Sequence, residues 1–176
     1  MLLFLGLAIA AFAAVLLLRG TKGSPAVFNK FGLPENKYKL ISTDLGGRKS
    51  RIFLSAQGVQ GIPDAVFMHR QKKEIVVGEF KSRKGRKYVR YNEFYQTTLY
   101  MGHLLARYPD CEVRGIIAYA DGATHISYDA AVYNELIKMR SEVKLALLRK
   151  KLLDKRPLQA RMNVTTQNPR VRFRVN

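Results

Sequence analysis

Acidic side chains are scarce in this chain. It carries 13 Asp and Glu against 31 Lys and Arg in 176 residues, a formal charge of +18. That imbalance points to a polyanionic partner, nucleic acid or anionic lipid, without choosing between them. Cysteine is nearly absent. Cys111 alone excludes an internal disulfide framework and any four-cysteine zinc or iron–sulfur site within one chain. Histidine occurs three times (His69, His103, His125) and never as H-E-x-x-H, which argues against a zinc hydrolase. No P-loop and no G-x-G-x-x-G is present, so nucleotide-driven chemistry has no motif to rest on. Internal repeats, low-complexity tracts, helix-turn-helix and zinc-finger patterns are also missing, and little base-edge readout is expected.

What is present begins with a long apolar run. Residues 1–18 (MLLFLGLAIAAFAAVLLL) contain no charged or polar side chain. As a helix they would span roughly 27 Å, close to the hydrocarbon thickness of a bilayer. A cleaved signal peptide is the rival reading. It calls for a basic residue before the run and polar sequence after an A-x-A site, and neither is found. We therefore expect an uncleaved transmembrane anchor. Arg19, Lys22 and Lys30 follow it, and by the positive-inside rule the rest of the chain lies in the cytoplasm.

The remaining length suits one ordinary domain, and a hydrophobic content of 47% supplies a core. Its charge is uneven. Residues 70–90 are net +7, residues 91–137 net −4 and residues 138–176 net +10. Residues 19–37, rich in Gly and Pro, read as a linker. Strands are predicted at 38–44, 51–55, 65–69, 74–81, 113–120 and 124–128, with Gly46-Gly47 as one turn and residues 70–73 as another. Helices are predicted at 91–108, stopped by Pro109, and from 130 to about 153. The pattern is α/β or α+β: a mixed central sheet flanked by helices over residues 38–156. A basic tail, 157–176, looks extended or disordered. Anionic lipid is a second expected partner for that tail.

One constellation carries chemistry. If residues 70–73 form the hairpin turn, paired numbers sum to 143, and Asp64 stands opposite Glu79. Opposed residues of an antiparallel pair share a face, with Cβ atoms about 5 Å apart. Lys81 lies two residues on and shares it too. Two adjacent carboxylates repel unless a cation joins them. All-oxygen ligation suits Mg²⁺ or Mn²⁺, and the Phe80 carbonyl offers a third oxygen. Lys81 beside such a metal can hold the attacking water or offset transition-state charge. The next helix presents Gln96 and Tyr100 four residues apart on one face. Glu93, His103 and Arg107 extend that stripe. Phe94, Thr98, Met101, Leu105 and Tyr108 form the apolar one.

The run Gly61-Ile62-Pro63-Asp64, then Glu79-Phe80-Lys81, then Gln96-Thr97-Thr98-Leu99-Tyr100 resembles the PD-(D/E)xK nuclease superfamily over about residues 38–130. The Q-x-x-x-Y element is similar to that of its RecB-like exonuclease branch. The resemblance implies a restriction-endonuclease-like core and a metal-dependent nuclease acting on DNA, single-stranded or at duplex ends; the membrane anchor is not part of the family pattern. It implies that Asp64 and Glu79 bind metal, that Lys81 is catalytic, and that Gln96 and Tyr100 support the site. Branch members often place a Glu or His on an upstream helix, whereas Glu35 is the only upstream glutamate here. The iron–sulfur cluster of some members is excluded by Cys111 standing alone. Between the last two motifs run Arg83, Lys84, Arg86, Lys87 and Arg90, interleaved with Tyr88 and Tyr91. Those basic residues can track phosphates, and tyrosines such as Tyr91 can stack on unpaired bases. Two other readings stay open. One is a non-catalytic, membrane-tethered DNA-binding module of the same fold. The other is a membrane-surface or assembly protein.

Overall fold

A computed structural model describes residues 25–45, 50–85, 88–162 and 165–174. The expected anchor at 1–18, the Gly46-Gly47 turn, Arg86 and Lys87 lie outside the described residues. Among the described residues no helix is long and apolar enough to cross a membrane.

The expected class is observed: an α+β fold with a mixed central sheet flanked by helices. Five strands lie in the order β1-β4-β5-β7-β8, with ranges Tyr38–Thr43, Ala65–His69, Glu74–Lys81, Glu112–Tyr119 and Gly122–Ser127. All neighbours are antiparallel except β5 and β7, which run parallel. A parallel pair needs a crossover, and the helix Tyr91–Arg107 supplies it. We number this helix α2, after a short α1 at Pro25–Phe31. Pro109 keeps α2 from continuing. The β4–β5 hairpin has the expected register, pairing Ala65 with Gly78 and Phe67 with Val76. His69 Nδ1 accepts from the backbone N–H groups of Gln71 and Lys72, both at 3.1 Å, and fixes the turn.

Alternation along the strands builds two cores, one on each face of the sheet. Val66, Ile75, Val77 and Ile117 pack under Met101 and Leu104 of α2. Ala65, Phe67, Val76, Ile116 and Ala118 pack under Val27, Phe28 and Phe31 of α1. A side chain at Gly78 would meet the Phe31 ring at 2.6 Å, so α1 sits close only because that strand position is bare. The described part of the expected linker is therefore a helix that closes the back of the sheet.

Two further expectations differ from the structure. The long helix from 130 to 153 is two helices, α3 (Ala130–Lys138) and α4 (Arg140–Arg149), broken at Met139 where ψ is −7°. The strand expected at 51–55 becomes β2 (Leu54–Ala56), paired with β3 (Val59–Gly61) in a small separate sheet. The tail is ordered in part. Asn168 is buried, exchanges hydrogen bonds with the Ser127 main chain (2.8 and 3.1 Å), and leads to β9 (Phe173–Arg174) beside β6 (Val89–Arg90).

Candidate active site

The same alternation that buries Val77 under α2 aims the next two odd-numbered residues, Glu79 and Lys81, to the α2 side. Asp64, just before β4, is the next position on that face after Val66. The expected partners therefore meet at the carboxyl end of β5. Asp64 Oδ2 accepts from the Phe80 N–H at 2.7 Å. Thr43 Oγ1 donates to the Asp64 carbonyl at 3.1 Å, tying the corner to β1.

Lys81 is held from two sides. Its Nζ donates to Glu79 Oε1 at 3.1 Å and to Gln96 Oε1 at 3.2 Å. The Gln96 amide donates in turn to the Tyr100 hydroxyl, which donates to the Ile62 carbonyl, both at 3.2 Å. One chain of donors thus runs from the Gly-Ile-Pro-Asp corner through α2 to the ammonium. A side chain at Gly61 would meet the Tyr100 ring at 2.6 Å, so the corner and the ring fit only with glycine there.

The electrostatics are unbalanced. Glu79 is 4% exposed, and its Oε2 is buried with no hydrogen-bond partner among the described residues. Burial, joined by the charge of Asp64, pushes its carboxyl up to about 7 despite Lys81. Asp64 is also raised, first by its own burial, against the lowering effects of the Phe80 amide and Lys81. Tyr100 is raised by burial. Such a pair suits a hard divalent cation: two oxygen donors, one orphaned lone pair, and a net charge that Lys81 alone does not cancel. Phe80 directs its C=O to the same strand edge as its N–H, the edge where Asp64 lies. Among the described residues no three His, Cys, Asp or Glu side chains gather at one point to hold a metal ion, so a third oxygen would have to come from another kind of group. Glu35 does not supply it. Its carbonyl faces Arg70, at the far end of β4.

The other expected residues divide. Arg83 and Arg90 line a cleft of about 360 Å³ together with Phe80 and Lys81, and Lys84 is exposed beside it. Arg83 is engaged by Glu93: Nε at 3.1 Å and Nη2 at 2.7 and 2.8 Å. Glu93, expected on a polar face, is 4% exposed and also accepts from Tyr119 Oη and the Arg90 N–H. Arg90 Nε is buried with no partner among the described residues. The Tyr91 ring stacks on Phe173 (4.7 Å, 10°) and Tyr88 is exposed. His103, on the same stripe, is 3% exposed, its Nε2 3.0 Å from the Val59 carbonyl, and burial lowers its pKa. It staples β3 to α2 and does not reach the site.

Sequence reasoning missed two neighbours. Lys30 of α1 stands 3.4 Å over the Phe80 ring and weakly opposes the upward shift of Asp64, and Thr43 holds the Asp64 main chain. Nothing in their local sequence marks either one. A mostly apolar groove of about 800 Å³ opens on the other side of Gln96 and Tyr100, walled by Leu99, Leu136, Val143 and Leu147. Comparison with models of known protein families matches none of them, and comparison with curated proteins also returns no match.

Proposed function

We propose that this protein is a membrane-anchored, metal-dependent nuclease with a restriction-endonuclease-like core, hydrolysing phosphodiester bonds of DNA. The observation that carries this reading is the buried Glu79 beside the half-buried Asp64, with an orphaned oxygen and an ammonium held beside it by Gln96. Asp64, Glu79 and the Phe80 carbonyl are the groups that would hold Mg²⁺ or Mn²⁺. Bound there, the cation supplies the positive charge that lets both carboxylates ionise and that draws electrons from the scissile phosphate.

The chain's own groups do the rest. Lys81 donates to the attacking water, orients its lone pair at phosphorus, and offsets charge as the new P–O bond forms and the opposite P–O ester bond breaks. The attacking water gives its proton to solvent, and the leaving alkoxide takes one from solvent. Gln96 keeps the ammonium in that position, and Tyr100 keeps Gln96. Arg90, which lines the cleft beside Lys81, adds positive charge toward a flanking phosphate. Lys84 adds charge at the rim, and Arg86 and Lys87 continue the basic loop. The run 1–18 tethers this site to a membrane, with the domain on the cytoplasmic side.

The test uses the full chain in detergent with labelled single- and double-stranded DNA, with Mg²⁺, with Mn²⁺ and with EDTA. Cleavage is expected only with metal, and Lys81→Ala and Asp64→Asn each lower it by about 100-fold or more. DNA binding without cleavage, unchanged in both variants, would leave a tethered binding module instead.

A further inference from the structure

Six of the nine large hydrophobic side chains most exposed among the described residues fall between 143 and 153: Val143, Leu145, Leu147, Leu148, Leu152 and Leu153. Leu147 and Leu148 are 74% and 73% exposed, and α4 buries no residue at all. Monomeric proteins seldom leave so much contiguous apolar surface without a use. Val143 and Leu147 wall the groove, but Leu145, Leu148, Leu152 and Leu153 do not. Leu145 and Leu148 are one turn apart on the outward side of α4, and the bend after Lys150 brings Leu152 and Leu153.

Basic residues are woven through this patch. Residues 140–156 hold seven Lys and Arg and two acidic side chains. Both acids are already matched, Glu142 by Arg161 and Asp154 by Arg156 and Arg161. Lys144, Arg149, Lys150, Lys151 and Lys155 have no ion pair among the described residues.

We infer that α4 and the bend after it, residues 140–155, form a docking surface for an anionic lipid bilayer. Leucines that enter the acyl boundary and lysines that reach back to the headgroups are the complement of such a surface. A nucleic acid would take the charge but leave the leucines wet, and the stretch has no aromatic side chain on which a base could stack. A second copy of the patch would cover the leucines but set five unpaired cations against five. The surface is distinct from the 157–176 tail, part of which packs back on the domain. It also stands independently of the nuclease reading.

The test places an environment-sensitive fluorophore on Leu148→Cys, in the full chain with Cys111→Ser. The protein is reconstituted in vesicles of phosphatidylcholine alone or with about one third phosphatidylglycerol. We expect a blue shift and quenching by lipid-borne nitroxide in the anionic vesicles, reversed by high salt. A label at Ser55→Cys stays in water in both. Exchanging Lys144, Lys150 and Lys151 for Gln lowers the docking equilibrium constant about 100-fold, near fivefold per charge. Four results overturn the inference. They are a label at 148 that stays in water, one buried equally in both lipids, one shielded as well by an oligonucleotide without lipid, and one shielded by raised protein concentration alone.

Discussion

Glu74 opens β5 and Glu79 stands near its close, and the two carboxylates live under opposite conditions. Glu74 accepts from Tyr38 Oη at 2.7 Å and from Arg114 Nε at 2.9 Å. Burial alone would raise its pKa, but Tyr38 and Arg114 outweigh it and hold the carboxyl below its usual range. Arg114 Nη2 donates in turn to Tyr38 Oη at 2.9 Å, closing a ring of three groups. Glu79 is buried more deeply and has less: one ammonium, one orphaned oxygen, and a like-charged neighbour. One end of the strand is compensated within the chain, and at the other a buried carboxylate oxygen has no hydrogen-bond partner among the described residues. A buried, uncompensated carboxylate costs stability, which is what makes Glu79 a candidate functional group.

Neutralising each glutamate in turn gives the largest contrast. Glu79→Gln should lower cleavage about 100-fold or more while leaving stability equal or higher, because it removes a repulsive buried charge. Glu74→Gln should do the reverse. It strands the Arg114 guanidinium and lowers stability by ~1–2 kcal/mol, with cleavage per folded molecule unchanged. Urea titration beside single-turnover cleavage separates the two. Equal losses in both assays for both variants would erase the distinction.

The pH dependence of stability sharpens the same contrast. Glu79 is protonated more readily in the folded state, about 7 against 4.5 for the free side chain. Its contribution is therefore present at acid pH and lost as pH rises from 4.5 through about 7, by at most ~3 kcal/mol. Asp64 acts with the same sign. Glu74, shifted down, contributes the opposite: stability present above its unfolded pKa and lost as pH falls further. Thermal melts from pH 5 to 8 should decline in the parent and flatten in Glu79→Gln. Millimolar Mg²⁺ should raise Tm at pH 8 more than at pH 5, since proton and cation compete for the same oxygens.

The contrast was partly legible in the chain before any coordinates. The four-residue turn at 70–73 sets the β4–β5 register, and that register alone puts Asp64 opposite Glu79. Helical spacing gives α2, its apolar stripe and the shared face of Gln96 and Tyr100. What stayed hidden needed tertiary partners. Seven residues, Pro25–Phe31, are too few to declare a helix by periodicity, and they become one because the bare strand at Gly78 admits Phe31. Glu93 looks like a surface acid until Arg83, Tyr119 and the Arg90 amide close on it. The break at Met139 has no glycine or proline to announce it. The Glu74 ring joins residues 38, 74 and 114, which no local pattern links.

Arg83 extends the comparison to the basic loop. It belongs with Glu74's end in kind, since Glu93 holds it with two nitrogens. Arg83→Ala should cost ~2–3 kcal/mol by leaving the buried Glu93 short of its cation. Lys84→Ala, at an exposed neighbour, should leave stability within ~0.5 kcal/mol and reduce the salt dependence of DNA binding by about one charge. Melting curves and binding isotherms at several salt concentrations decide it. An Arg83 variant as stable as the Lys84 one would show that Glu93 does not depend on it.

The smallest expected effect asks whether Glu79's end depends on geometry as well as on charge. Gly61→Ala changes no ionisable group. Its new methyl would lie 2.6 Å from the Tyr100 ring, closer than any side chain tolerates, so the ring must swing. Tyr100 then loses the Ile62 carbonyl, Gln96 loses the hydroxyl it donates to, and the ammonium of Lys81 is steered by Glu79 alone. A positioning loss of this kind should lower cleavage about tenfold, while the Glu79-linked slope of stability with pH keeps its sign because Glu79 stays buried beside Asp64. Tyr100→Phe removes the hydroxyl without the methyl and should reproduce part of the cleavage loss. If Gly61→Ala instead abolishes the slope, the chain from Ile62 to Lys81 governs how the carboxylates are buried, and not only where the ammonium points.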